Sequence, residues 1–540
     1  MTTTARPTRR SSIPRNELER VAWLELAPEL VDILREHGEE KTATPEEVLW
    51  EVGQPSYDMY YLLEGKVDIV DRVGGEVVVQ IEAPNLIGEI GLLMGQGTFL
   101  AGIAVTDAKM IVVPQATVME LVASVPELSD VIVSSFAARR RVLIEWGEGS
   151  VRVVGREGDS RSVRVLEFLS RNRIPHRFIN REDPESKQIE CPIPQDGTVV
   201  ISGRSGLLHN PSNQELARGL GFDLDVSKDE LFDLAVVGAG PAGLAAAVYG
   251  ASEGLRTLVI EDTAIGGQAG TSSRIENYLG FSTGISGSDL AYQGQIQAIK
   301  FGARITVPRR AVGLKPNDEG FAIELDDGCC VRARAVVLAC GVQYRQLGLD
   351  RLDDFEGAGV YYAATHLEAR FCTGTNAVII GGGNSAGQAA MYLSRHARCT
   401  HIVVRGEGLA ATMSSYLSDR IHNDPRIELW TRSVVSTLDG DERLERLTLT
   451  NRDTGEEKHI DTRALFIMIG AAPHTSWLRD TLDLDDKGFV ITGHEGDPFA
   501  TSLPGVWAVG DLRAGSVKRV ASAVGEGSVV VSAIHQYLSN

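Results

Sequence analysis

Cysteine is scarce in this chain: six residues among 540, with no Cys-x-x-Cys and no spacing of the kind that staples a small secreted domain. That excludes a disulfide scaffold and fits a reducing cytosol. Cationic charge is also short. Lys and Arg number 53 against 73 Asp and Glu, a net charge of −20, which argues against nucleic acid and anionic membrane surfaces as partners. No apolar run reaches the ~20 residues that a membrane-spanning helix requires. Residues 1–14 carry Arg, Thr, Ser and Pro without an apolar stretch, so they read as a disordered lead-in and not as a secretory signal. What is left is a chain long enough for three or four domains, each able to bury a core.

Glycine is plentiful, and two clusters of it carry the chemistry. The first, Gly238-Ala-Gly240-Pro241-Ala242-Gly243, follows the apolar run Leu234 to Val237 and opens the small-residue segment Leu244 to Gly250. The second, Gly381-Gly-Gly383-Asn384-Ser385-Ala386, follows Ala377 to Ile380 and precedes Gln388 to Leu393. Strand, turn and helix in that order make a dinucleotide site. The first position permits the tight turn, the second lets backbone approach a pyrophosphate, and the third must be small for helix and strand to pack. The helix N-terminus then offers N–H groups and partial positive charge to the phosphates. Two such motifs imply two dinucleotides, between which a hydride passes.

The following strands differ. Thr257 to Ile260 ends in Glu261, whose carboxylate suits a free ribose diol, as in FAD. His401 to Val404 ends in Arg405, which suits a 2′-phosphate and favours NADPH, with NADH left open; a solvated surface charge is the alternative. Gly266-Gly267-Gln268 and Glu276-Asn277-Tyr-Leu-Gly-Phe281 come after the first unit. Near the end of the chain, Gly505-Val-Trp-Ala-Val-Gly510-Asp511 reads as a strand ending in a Gly-Asp pair, and Lys518-Arg519-Val520-Ala521 opens a last helix.

From about 230 to 540 these pieces, with Ala339-Cys-Gly341 and Gly470-Ala-Ala-Pro473, resemble the low-molecular-weight thioredoxin reductase family. The resemblance implies an FAD domain from 226–352 and 477–540, holding FAD through Gly238, Gly240, Pro241, Ala242, Gly243, Glu261, Gly267, Gln268, Asn277, Gly341, Gly510, Asp511, Arg519, Val520 and Ala521. It implies an inserted NADPH domain over 353–476, using Gly381, Gly383, Asn384, Ser385, Ala386 and Arg405, and a homodimer. The chain departs from the family at its redox disulfide. Ala363-Ala-Thr-His366 stands where the family has Cys-x-x-Cys, and thiol–disulfide exchange needs a thiolate and a resolving partner. Cys340, Cys372, Cys399 and the adjacent Cys329-Cys330 read as inert small hydrophobes.

The first third is a different object. Over 15–147, helical segments around 15–38 precede short β-like runs separated by Gly53-Gln-Pro55, Glu64-Gly65, Gly74-Gly75 and Gly95-Gln-Gly97, and a charged helix runs from Pro126 to Trp146. The pattern predicts a small β-roll. Tyr60 to Ile69 and Leu86 to Leu93 resemble the cyclic-nucleotide-binding domains of bacterial regulators, where Gly88 and Glu89 would meet the ribose. The family's phosphate-gripping Arg is missing: Gly95 to Val105 holds no cation. Cyclic nucleotide binding is not expected, and an unliganded dimerisation module or a changed ligand are the alternatives. The unit at 148–225 vaguely resembles a glutaredoxin, but Asp159-Ser-Arg-Ser162 replaces the active thiol and Cys191 reads as structural.

The expected fold is multidomain α/β: two Rossmann-like domains, one inserted in the other, behind a β-roll and a small glutaredoxin-like α/β unit. The expected function is an FAD-dependent pyridine-nucleotide oxidoreductase. NADPH reduces the flavin, no side chain is required as acid or base in that step, and electrons pass to a small-molecule or protein acceptor that the residues do not name. The alternatives are a nucleotide-sensing flavoprotein with little turnover, and a thioredoxin-disulfide reductase that uses other cysteines.

Overall fold

The computed structural model describes residues 16–539 apart from 55–56, 73–74, 89, 95, 147–150, 158, 185, 187–188, 190–192, 195, 204–205, 223, 228, 273–274, 276, 345–346, 357, 363, 365, 410–412 and 442. Glu89, Cys191 and Ala363, named above, lie outside the described residues, as does the lead-in through residue 14.

Two four-stranded antiparallel sheets form the first unit. One runs Glu39–Ala43, Ala108–Val113, Met59–Glu64, Asn85–Ile87, and the other Val48–Trp50, Ala101–Ala104, Lys66–Asp71, Glu76–Glu82. Their inner faces, with Trp50, Leu62, Val67 and Ile81, make one core. Helix Pro126–Trp146 closes it. The sequence reads that helix as charged, yet Arg139 and Arg140 are 3% and 1% exposed. Each arginine is turned inward onto carbonyl oxygens, which is what makes its burial tolerable.

The second unit is a four-stranded sheet in the order His176–Asn180, Val151–Gly155, Val199–Ser202, Gly206–His209, with only the first pair parallel. Gly206–His209 is an edge strand whose partly exposed residues carry little alternation. Helix Ser160–Arg171 begins where it does because Asp159 caps it, accepting the Ser162 N–H at 2.9 Å. Ser212 and Glu215 form a capping box on helix Asn213–Leu220.

The remaining residues build the same plan twice. Arg304–Thr306, Thr257–Ile260, Leu231–Val237 and Cys330–Leu338 lie parallel, extended by Val506–Ala508 and by the antiparallel hairpin Gly320–Leu325 and Ala311–Asn317. Ile427–Trp430, Cys399–Val403, Asn376–Ile380 and Glu457–Ile467 repeat the arrangement, with Val360–Tyr361 and a second antiparallel pair, Leu444–Asn451 and Ser433–Gly440. The central strands are apolar on both faces, as strands covered on both sides must be. Strand Val342–Tyr344 pairs with Ala471–Pro473 where the chain crosses between the two plans.

The units are packed, not strung. Ile299, on flavin-half helix Gly287–Lys300, belongs to the core of the β-roll unit, with Tyr292 and Ile296 against it. Lys300 pairs with Asp130 at 3.0 Å, and the Arg173 guanidinium lies 4.4 Å over the Tyr292 ring. Arg152 and Asp71 form an ion pair at 2.8 Å between the first two units, with both side chains buried. A cavity of about 1230 Å³ remains where all four units meet.

Candidate functional site

The first glycine turn sits at the C-terminal end of Leu231–Val237. Gly238 has φ +107, and a Cβ there would lie 2.4 Å from the Ala339 carbonyl oxygen. One at Gly243 would lie 1.9 Å from the Gly238 carbonyl oxygen. These two glycines are required by the protein's own packing. Gly240 is different: it caps helix Pro241–Ser252, and a Cβ there meets nothing within 4 Å. The open side of the turn is the side a pyrophosphate would occupy, against the N–H groups of the first helical turn.

Glu261 closes the turn from behind. Its carboxylate accepts the Ala239 N–H at 2.7 Å and the Thr263 N–H at 3.1 Å. Burial pushes its carboxyl above the usual range, while those two N–H groups oppose the shift. Gly267 has φ +52 and stands against Gly240. Gln268 donates from Nε2 to the Val342 carbonyl at 3.2 Å, while its Oε1 is buried without a partner among the described residues. A buried acceptor of that kind calls for an N–H donor. Gly341 beside it has φ +63 and open space where a Cβ would stand. Asn277 is exposed, and Tyr278 stacks on Phe281 at 6.1 Å.

The C-terminal pieces reach the same place. Gly510 has φ +73 and packs on Ala242. Burial raises the Asp511 carboxyl, against the pull of Lys518. Helix Val520–Ser539 crosses Pro241–Ser252 closely enough that a Cβ on Gly527 would lie 2.1 Å from the Ala242 carbonyl oxygen. Val520 opens that helix half-buried, with Arg519 and Ala521 exposed beside it. Two residues here escape sequence reasoning. Glu526 accepts the Gly510 N–H at 2.6 Å and pairs with Arg513 at 2.8 Å. The signal was present: Glu526 is the single acidic residue in this helix.

The second turn repeats the first. Gly381 has φ +144 and abuts the Met468 carbonyl, and Ala386 is fully buried beneath it. Gly383 caps helix Asn384–Leu393 and faces open space. Asn384 accepts the Ser414 N–H at 2.8 Å, which ties the turn to the next helix; Ser385 is exposed. Arg405 is exposed and has no hydrogen-bond or ion-pair partner among the described residues. Neighbouring Arg432, by contrast, is held by Glu407 and Asp453, both at 2.7 Å.

No thiol stands ready for exchange among the described residues near these turns. Burial pushes the Cys340 and Cys372 thiols up to about 12, the opposite of a reactive cysteine. Helix His366–Phe371 follows the stretch that lacks the redox pair. In the middle unit, Asp159 accepts hydrogen bonds from Ser162 Oγ and Thr198 Oγ1, so the position of a glutaredoxin thiol is taken by a closed carboxylate–hydroxyl cluster.

The β-roll interior is filled. The Trp50 ring covers Gly102 closely enough to leave no room for a Cβ, stacks on Tyr60 at 5.1 Å and donates to the Leu100 carbonyl. Gly88 lies under Phe136, and its carbonyl accepts from Arg139 at 2.7 Å. Arg140 holds Gln96 Oε1, and Arg141 pairs with Glu145.

Residues 232–527 match the pyridine nucleotide-disulphide oxidoreductase family, and residues 40–125 match the cyclic nucleotide-binding domain. The chain is 35% identical over 305 residues to a thioredoxin reductase of Streptomyces clavuligerus, a match covering 56% of this chain and 93% of that one. It is 29% identical over 384 residues to an NADH dehydrogenase of Bacillus subtilis, covering 70% and 73%, a span too long for the C-terminal half alone. Among solved structures, T. acidophilum thioredoxin reductase superposes with a TM-score of 0.53 at 30% identity, covering 58% of this chain and 100% of that one. With both phosphate cradles open and the family matched over more than half its length, this chain belongs to the pyridine nucleotide-disulphide oxidoreductase family and is an FAD-dependent, NAD(P)H-linked oxidoreductase with a cyclic nucleotide-binding domain ahead of its catalytic half.

Proposed function

We propose that the chain oxidises NADPH and passes the electrons to an acceptor without a disulfide relay. The carrying observation is the pair of open helix caps at Gly240 and Gly383, each at the C-terminal end of a parallel strand. Residues 226–352 and 477–540 would hold FAD, and 353–476 the coenzyme. Bound there, the flavin supplies two-electron uptake and release between coenzyme and acceptor. The chain's own part is placement. Gly240 and the helix behind it receive the pyrophosphate, Glu261 the ribose diol, and Gln268 Oε1 an N–H of the ring. Asp511 and the helix opened by Arg519, Val520 and Ala521 close the pocket. The same resemblance supports a homodimer and a cytoplasmic setting. Anaerobic stopped-flow mixing with NADPH is the test: the flavin bleaches within seconds if the reading is right. A flavin left oxidised would favour a sensor in which the nucleotides only position the domains.

NADPH preference rests on Arg405, the cation left open at the end of the second acceptor strand. A charge-assisted contact to phosphate is worth on the order of 1.5–3 kcal/mol. Arg405→Ala should therefore raise the NADPH requirement roughly tenfold to a hundredfold and leave NADH little changed. Equal effects on both coenzymes would show that Arg405 does not read the 2′-phosphate.

Cyclic AMP and cyclic GMP should bind weakly or not at all. The loop that would grip the phosphate has no cation, the arginines of Pro126–Trp146 are committed elsewhere, and Trp50 fills the roll. A buried phosphate without a cation is costly. Isothermal titration giving micromolar or tighter affinity would overturn this.

A further inference from the structure

One group of polar side chains on the coenzyme half belongs to neither dinucleotide site. Cys399 and His401 alternate along Cys399–Val403 and so share one face of the sheet. His401 is in register with Glu428 on the neighbouring parallel edge strand Ile427–Trp430. One ligand atom from each of Cys399, His401 and Glu428 lies within 4.8 Å of the other two. His401 is 7% exposed, Cys399 half-buried and Glu428 exposed, so the group opens to solvent on one side only.

Glu428 also takes a hydrogen bond from the Cys399 thiol, but the contacts at His401 Nδ1 do not agree with one another. Glu428 Oε2 lies 3.3 Å from His401 Nδ1, and the Trp430 indole N–H points at the same nitrogen from 3.2 Å. An indole can only donate, and an ionised carboxylate can only accept. If Nδ1 is bare it suits Trp430 and faces the carboxylate as a second acceptor. If Nδ1 carries a proton it suits Glu428 and faces Trp430 as a second donor. A cation between carboxylate and imidazole removes the conflict, with the indole N–H turned to the carboxylate.

We propose that Cys399, His401 and Glu428 bind a divalent ion of the zinc class. Thiolate, imidazole and carboxylate are a mixed donor set that suits zinc and not calcium or magnesium, which take all-oxygen shells. Zinc–ligand bonds of about 2.0–2.3 Å require the three side chains to close by rotation onto one centre, and a fourth position is left to water. Neutral imidazole and thiolate are the forms that ligate, so binding displaces the thiol proton to solvent as the S–metal bond forms. Arg398 and Lys458 are near enough to His401 to disfavour added positive charge. Thiolate and carboxylate together neutralise the ion, which answers that objection.

The site is remote from the redox chemistry. Cys399 begins the strand that Arg405 follows, and six residues at about 3.3 Å each separate them by ~20 Å. Dinucleotides bind at the C-terminal ends of such strands, so the ion sits at the opposite end. Its effect is to tie the edge strand to its neighbour.

The full-length flavoprotein, reduced and stripped with a chelator, should be dialysed against micromolar zinc and its metal content measured. Zinc is expected at about one ion per chain, with Cys399→Ser and Glu428→Gln each weakening retention at least tenfold, the lower end of what even indirect ligand partners are worth. In the unmutated protein, zinc should also shield Cys399 from iodoacetamide, read peptide by peptide by mass spectrometry. That second measurement stands if a variant fails to fold. Zinc retention unchanged in Cys399→Ser, or Cys399 alkylated equally fast with and without zinc, would overturn the proposal.

Discussion

Gly240→Val is expected to give a folded protein without FAD. A Cβ at Gly240 enters space with no atom within 4 Å beyond its chain neighbours, and the φ of −72 there suits any residue. The substitution therefore adds its bulk on the open side of the turn, where it obstructs what approaches from outside. Each charge-assisted hydrogen bond that a displaced phosphate forfeits is worth about 1.5–3 kcal/mol, so losing two weakens FAD by roughly 100-fold or more. Gly243→Val makes the contrast. It drives a side chain into the Gly238 carbonyl and should cost the fold itself. The measurement is flavin content released on denaturation, beside circular dichroism of the same sample. Stoichiometric FAD in Gly240→Val would sink the assignment of this turn to the pyrophosphate.

NADPH-dependent reduction of a thioredoxin should be undetectable, while ferricyanide and a soluble quinone are reduced. A disulfide relay needs one thiol that ionises and another that resolves. The stretch Ala363 to His366 has neither by sequence, and burial pushes both Cys340 and Cys372 up to about 12. A flavin edge passes electrons outward with no covalent step, so simple acceptors remain open. Thioredoxin turnover at rates typical of enzymes, roughly 1–1,000 per second, would refute the claim. Serine at 340, 372 and 399 would then identify a hidden relay. Cysteines introduced together at 363 and 366 are the complementary test: activity gained only there attributes the loss to the missing pair.

Both glycine turns could be read directly because each is local. Strand, turn and helix follow one another within about twenty residues, and the need for a missing Cβ at Gly238 and Gly381 is written in one residue each. Gln268, Gly341 and Asp511 stand out in the sequence only through the family resemblance, because no strand–turn–helix pattern of their own marks them. What could not be read is what pairs across distance. Glu526 is one carboxylate in a helix until Gly510 and Arg513 are placed beside it. Arg139 and Arg140 look like a solvated face, since nothing local says that Arg139 meets carbonyls of its own unit and Arg140 one of the next. The docking of Ile299 into the β-roll core is invisible for a like reason: one apolar side chain on an amphipathic helix carries no address. Cys399, read alone as a small hydrophobe, gains its neighbours only through the strand register.

The crossing of Val520–Ser539 over Pro241–Ser252 fixes an order of events during synthesis. The turn that would take the pyrophosphate leaves the ribosome ahead of the whole coenzyme half. The strand Val506–Ala508, the Gly510 turn and the helix that packs on Ala242 leave after it. Until then the flavin sheet lacks a parallel strand and the first helix has one bare side. The whole coenzyme half is made in the interval. The flavin sheet is therefore complete only once another domain has been made inside it, and its nascent half waits, partly assembled, for that strand and helix.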